Sequence, residues 1–112
     1  MLNYIIKEKD ILEINKLYSD GVLKNNNLLS CYASIDYYNS AELSVCSVFR
    51  SLCKNHYFTD GNKRTACDCL YILCYFNDIP FELTNKELEE ITLDVANNKY
   101  SVELICKKIF KK

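Results

Sequence analysis

Two glycines and one proline stand in 112 residues. A chain so poor in backbone breakers has few sites for the tight turns of a sheet-rich fold, and it is better suited to helices joined by polar connections. Hydrophobic periodicity agrees, and five helical segments can be placed. The first runs from about Asp10 to Tyr18, with Asp10 as N-cap, a stripe of Ile11, Ile14, Leu17 and Tyr18, and Gly21 shortly after its end. An irregular segment from about Asp20 to Asn39 follows, rich in Asn, Ser and Tyr, with room for a helical turn at Leu28 to Ala33. A loop this long in a compact domain is more often functional than a plain connection.

The second helix spans about Ser40 to Asn55, capped by Ser40, with a wide apolar face of Leu43, Val45, Cys46, Val48, Phe49, Leu52 and Cys53. The third spans Asn62 to about Asn77. Ala66, Cys69, Leu70, Leu73, Cys74 and Phe76 make it apolar nearly all round, which predicts the central helix, and Pro80 closes the region. A capping box, Thr84-Asn85-Lys86-Glu87, opens the fourth helix, which carries Leu88, Ile91 and Val95 and ends at Asn97-Asn98. The fifth runs from Ser101 to about Phe110 on Val102, Ile105 and Ile109, and Lys107, Lys108, Lys111 and Lys112 complement its C-terminal dipole. The prediction is an all-α, compact, single-domain helical bundle over residues 1–112, with at most a short extended piece at Asn3 to Ile6.

Charge excludes one broad class of function. The net charge is -1 and no segment forms a basic stripe, so general nucleic-acid binding, which rests on many Lys/Arg–phosphate contacts, is not expected. No apolar run approaches the roughly 18–20 residues of a membrane span. Lys7, Glu8, Lys9 and Asp10 interrupt the opening stretch where a signal peptide would need an apolar core. A cytoplasmic protein is the expectation. The seven cysteines, odd in number and without a C-x-x-C pair, read mostly as small buried apolar residues in a reducing compartment rather than as disulfide or zinc ligands.

Chemistry concentrates in His56-Tyr57-Phe58-Thr59-Asp60-Gly61-Asn62-Lys63-Arg64-Thr65-Ala66, which holds the only histidine. Lys63 and Arg64 fall in the first turn of the third helix, where the dipole already disfavours cations by a few tenths to about 1 kcal/mol each. A bound polyanion is the simplest rationale, gathering free N–H groups, the dipole and both cations. Gly61 permits a tight turn and a close backbone approach. Asn62 can donate its amide to a phosphate oxygen or cap the helix. Asp60, beside this positive centre, can reach phosphates through Mg²⁺, or can serve as a helix cap. His56 can accept a proton from a hydroxyl nucleophile, or be a plain surface histidine. Phe58 reads as a core anchor for the loop, and Thr65 and Ala66 as small residues for close helix packing.

In order and spacing these residues resemble the signature of the Fic/Doc family, specifically its death-on-curing (Doc) branch. The resemblance extends from the Tyr4-to-Gly21 stretch to the Leu83-to-Ala96 segment. It implies a Fic fold, His56 as general base, Asp60 holding Mg²⁺, and nucleotide phosphates bound by Gly61, Asn62, Lys63 and Arg64. AMP-transferring members typically carry Gly-Asn-Gly-Arg-x-x-Arg; here Lys63 replaces the second glycine and Cys67 the second arginine. Doc-like members share these changes and bind ATP in a reversed pose that presents the γ-phosphate, so the implied activity is protein phosphorylation. The implied target is a translation factor, EF-Tu above all, and the outcome is translation inhibition by a toxin. Self-inhibited relatives carry a Ser/Thr-x-x-x-Glu-Gly/Asn helix that is lacking here, so the resemblance implies control by a separate, Phd-like antitoxin protein. Tyr57 stands where that family usually has a proline, and Val22 to Tyr38 matches no flap of the family. Three other readings stay open at this point: nucleotidyl transfer (AMPylation), a non-catalytic binding module, and a structural metal protein built on the cysteines.

Overall fold

The computed structural model describes residues 2–110. Its helices are α1 (Glu8–Asn15), α2 (Ala41–Lys54), α3 (Asn62–Phe76), α4 (Asn85–Asn97) and α5 (Val102–Phe110), with 3-10 turns at Leu28–Tyr32 and Ile35–Tyr37. No strand occurs among the described residues, where one isolated antiparallel bridge pairs Leu23 with Phe58. The radius of gyration is 12.7 Å, close to the roughly 13 Å of one compact domain of this length. The all-α single-domain expectation is met. Lys111 and Lys112, expected to complement the C-terminal dipole of the fifth helix, lie outside the described residues.

The centre of the bundle is α2, not α3. Six consecutive α2 residues, Ser44 to Phe49, are buried, and α2 packs on α3, α4, α5 and both 3-10 turns. Its polar positions are compatible with burial because they are short and satisfied: the Ser44 hydroxyl donates to the Ile35 carbonyl (2.8 Å) and the Ser47 hydroxyl to the Ser44 carbonyl (2.7 Å). By contrast, α3 leaves Tyr71, Tyr75 and Phe76 exposed. Apolar residues on all sides of a helix thus gave way to a surface aromatic cluster, in which Tyr71 meets Phe81 and Phe76 meets Tyr4.

Helix α1 begins earlier and ends earlier than its periodicity suggests. The N-cap is Lys7, whose carbonyl accepts from Asp10 and Ile11, so Asp10 lies inside the first turn, where its charge still suits the dipole. After Asn15 the chain tightens into turns, with Tyr18 and Ser19 both donating to the Asn15 carbonyl, and Leu17 is exposed rather than part of the stripe. The Asn3–Ile6 piece has no strand partner among the described residues. Asn77 replaces one: its Oδ1 accepts from Asn3 and Tyr4 N–H (2.7 and 2.9 Å) and its Nδ2 donates to the Tyr4 carbonyl (2.8 Å). Ser40 and the Thr84/Glu87 capping box form as expected, and the Leu28–Tyr32 turn buries Leu28 and Cys31.

The cysteines behave as apolar residues: Cys31, Cys46, Cys53, Cys69 and Cys74 are buried, and Cys67 and Cys106 half-buried. Burial pushes the Cys31 and Cys74 thiols up to about 12. Because the thiolate is the nucleophile, iodoacetamide at mildly alkaline pH should leave both unmodified in the folded protein and alkylate them once it is denatured. Rapid labelling of either in the native state, read by mass spectrometry, would contradict this packing.

Candidate active site

The loop between α2 and α3 carries the motif. It leaves α2 through Asn55 and turns at His56, whose φ is +47°. That conformation is uncommon for an L-residue and is held by its surroundings. The next residue supplies the hold. Tyr57 is 1% exposed, and its hydroxyl bonds Ser30 Oγ and Ser51 Oγ (both 2.7 Å) and accepts from Asn55 Nδ2 (3.0 Å). Its carbonyl accepts from Lys24 N–H at 2.7 Å, beside the Leu23–Phe58 bridge. Tyr57 thus supplies by hydrogen bonding and packing the rigidity that a proline would supply covalently. Tyr57→Phe should cost about 1–2 kcal/mol and speed amide exchange at residues 55–58; unchanged exchange there would remove the hydroxyl from this role.

Phe58 is the buried anchor expected of it. Asn62 grips its backbone in both directions: Asn62 Oδ1 accepts the Phe58 N–H and Asn62 Nδ2 donates to the Phe58 carbonyl, both at 2.9 Å. The Asn62 amide is therefore spent on closing the loop, and what this residue presents outward is its backbone N–H in the first turn of α3.

Gly61 is the N-cap of α3, at φ +74° and with no side-chain cap. A Cβ there would lie 3.0 Å from Tyr18 Cβ and 3.2 Å from Asn15 Nδ2. The close approach that this glycine permits is that of the last residue of α1 and the turn after it. Asp60 is exposed; its Oδ1 accepts the Gly61 N–H at 2.8 Å, leaving Oδ2 for another partner. Thr65 N–H makes the first intrahelical bond, to the Gly61 carbonyl (2.9 Å), so the N–H groups of Asn62, Lys63 and Arg64 precede it without intrahelical acceptors.

Lys63 and Arg64 are exposed, and neither is among the ion pairs of the described residues, which are Lys16–Glu13 and Lys108–Asp94. The Arg64 guanidinium stands 5.7 Å from the Tyr18 ring centroid. The Tyr18 hydroxyl in turn donates to Asp68, and that bond raises the phenol to about 12. All six residues singled out from sequence, His56, Asp60, Gly61, Asn62, Lys63 and Arg64, line one open cavity of about 360 Å³, together with Tyr18, Cys53 and Thr59.

Two contributors were not singled out. Tyr18 forms a wall of the cavity. Asn15, fully buried, donates to the Asp60 carbonyl (2.9 Å) and Thr65 Oγ1 (3.1 Å) and accepts from Gly21 N–H (3.0 Å). Its signal was present: it stands four residues after Ile11, on the apolar stripe of α1, where a polar residue needs a reason.

The donor set suits Mg²⁺ of one kind only. No group of three or more His, Cys, Asp or Glu side chains gathers among the described residues, so no all-protein cage is available. One exposed carboxylate beside a helix N-terminus with free N–H groups fits the mode in which this ion takes one or two carboxylates plus phosphate oxygens. Comparisons with protein-family models, with curated proteins and with solved structures found no match to this chain.

Proposed function

We propose that this chain is a Doc-like toxin: a protein kinase that transfers the γ-phosphate of Mg²⁺-bound ATP to a serine or threonine hydroxyl of a translation factor such as EF-Tu. The observation that carries this reading is the convergence of one histidine, one carboxylate with a free oxygen, two cations in no ion pair of the described residues and a helix N-terminus on a single open cavity. The backbone N–H groups of Asn62, Lys63 and Arg64 bind phosphate oxygens, aided by the dipole of α3. Lys63 and Arg64 neutralise charge on the phosphate chain. Asp60 holds Mg²⁺, which when bound neutralises further phosphate charge. His56 accepts the proton of the target hydroxyl as that oxygen bonds to the γ-phosphorus. The bond from the γ-phosphorus to its bridging oxygen breaks, and ADP leaves with the electron pair.

Two observations favour kinase over nucleotidyl transfer. Lys63 projects from the first turn into the same cavity as His56, filling space that a second glycine would leave open. Cys67 Sγ sits 3.0 Å from Thr92 Oγ1, a neutral contact that offers a phosphate no charge. The Val22–Lys24 segment, tied to Tyr57 and Phe58 and with Val22 57% exposed, is the edge along which the target chain would lie. A separate Phd-like antitoxin controls the site, in the cytoplasm.

Paired labelling with EF-Tu, Mg²⁺ and ATP carrying label at either the γ- or the α-phosphate tests the reading. Label from γ alone is expected. Label from α would establish nucleotidyl transfer, and no label on EF-Tu or on any protein of a bacterial lysate would leave a binding module.

A further inference from the structure

A second cavity, of about 320 Å³, shares no lining residue with the first. Three parts of the fold wall it: the 3-10 turn region, α2 and the opening turn of α5. Arg50 is its cation. Half-buried, it spends Nε on the Tyr100 carbonyl (2.8 Å), and it is in neither of the ion pairs of the described residues. Its remaining guanidinium N–H groups are therefore left for another acceptor.

The neutral groups around Arg50 are also rich in donors. Ser34 and Ser101 present hydroxyls from opposite parts of the sequence. Ser101 Oγ already accepts from Leu104 N–H (3.1 Å), which leaves its own hydrogen to donate. Val102, the first residue of α5, brings a backbone N–H that precedes the helix's own bonding, since the Ile105 N–H is the one that reaches the Ser101 carbonyl. One carboxylate lines the cavity, Glu103, and it is exposed.

We propose that this cavity binds a phosphate group, free or as a monoester. Donors arriving from three walls suit a tetrahedral ion with acceptors on every side better than a planar carboxylate with two oxygens. The charge of Arg50 supplies the main attraction, and the exposed Glu103 carboxylate opposes a longer polyanion. This site is independent of the kinase reading.

The test is a ¹H–¹⁵N titration of the full chain with inorganic phosphate, with O-phosphoserine and with acetate. It is run on wild type and on a Lys63→Ala/Arg64→Ala variant, in which the cavity around His56 is disabled. Saturable shifts at Arg50, Ser34, Ser101 and Val102, retained in that variant, are expected. Arg50→Gln should weaken binding by at least about tenfold. Ser34→Asp changes an exposed side chain and leaves every buried hydrogen bond in place, and it should do the same by repulsion. Tighter binding of O-phosphoserine would identify the ligand as a monoester, and equal binding as the free ion. Shifts confined to Asn62–Arg64, equal response to acetate, or unchanged affinity in both Arg50→Gln and Ser34→Asp would overturn the proposal.

Discussion

Replacing His56 with alanine is expected to slow the proposed γ-phosphate transfer by about 10²–10⁴-fold, the usual worth of a positioned general base, with little change in stability. The side chain is exposed, so its loss removes no core packing. Alanine must adopt the same positive φ of +47° and carries the same backbone strain. His56→Gly separates the two roles of the position. Glycine takes a positive φ without steric cost, so this variant should gain up to about 1 kcal/mol of stability while staying as inactive as the alanine variant. A more stable, inactive protein would mean that the strained backbone is maintained for the imidazole. An alanine variant that transfers label at the wild-type rate would remove His56 as the base.

Asn15→Ala should be the most damaging change outside the hydrophobic core. Three hydrogen bonds are lost, to the Asp60 carbonyl, Thr65 Oγ1 and Gly21 N–H. The groups left behind are partly desolvated, and the cost should come to about 3 kcal/mol. Domains of this size are stable by only about 5–15 kcal/mol. A urea melt should show a lower midpoint with an unchanged slope, since the surface exposed on unfolding is the same. Asn15→Asp should be no better than alanine: it keeps an acceptor for Gly21 but loses both donors and places a carboxylate against the Asp60 carbonyl. A loss below about 1 kcal/mol in the alanine variant would show that the loop holds its shape without α1. Because Asn15 grips the residue before Gly61, the same variant should also weaken the phosphate binding proposed for the first turn of α3.

The candidate site could be read from sequence to an unusual degree because its residues are nearly contiguous. Nine positions from His56 to Arg64 form a loop and a helix N-terminus, and short range alone brings their backbone into one place. The individual roles were less legible. Asn62 could have faced a ligand or its own loop, and only the position of Phe58 decides for the loop. The purpose of Gly61 depends on what lies beyond its missing Cβ, which is α1, 46 residues earlier in the case of Asn15. Tyr57 looked like a departure from a proline pattern, and its partners Ser30 and Ser51 come from two other elements.

Local chemistry in the sequence determined the all-α class, the Ser40 and Thr84 caps, the boundaries of α2 to α5 and the burial of most cysteines, because periodicity and capping act within one or two helical turns. Tertiary structure alone decided which helix is central. A serine that donates to a nearby carbonyl is as buriable as an alanine, and the sequence does not reveal whether that carbonyl is there. Tertiary structure also decided where α1 ends, through Asn15, and how Asn77 fastens the N-terminal piece. In each case the deciding bond joins groups distant in the chain, and only the folded packing brings such groups within hydrogen-bond reach.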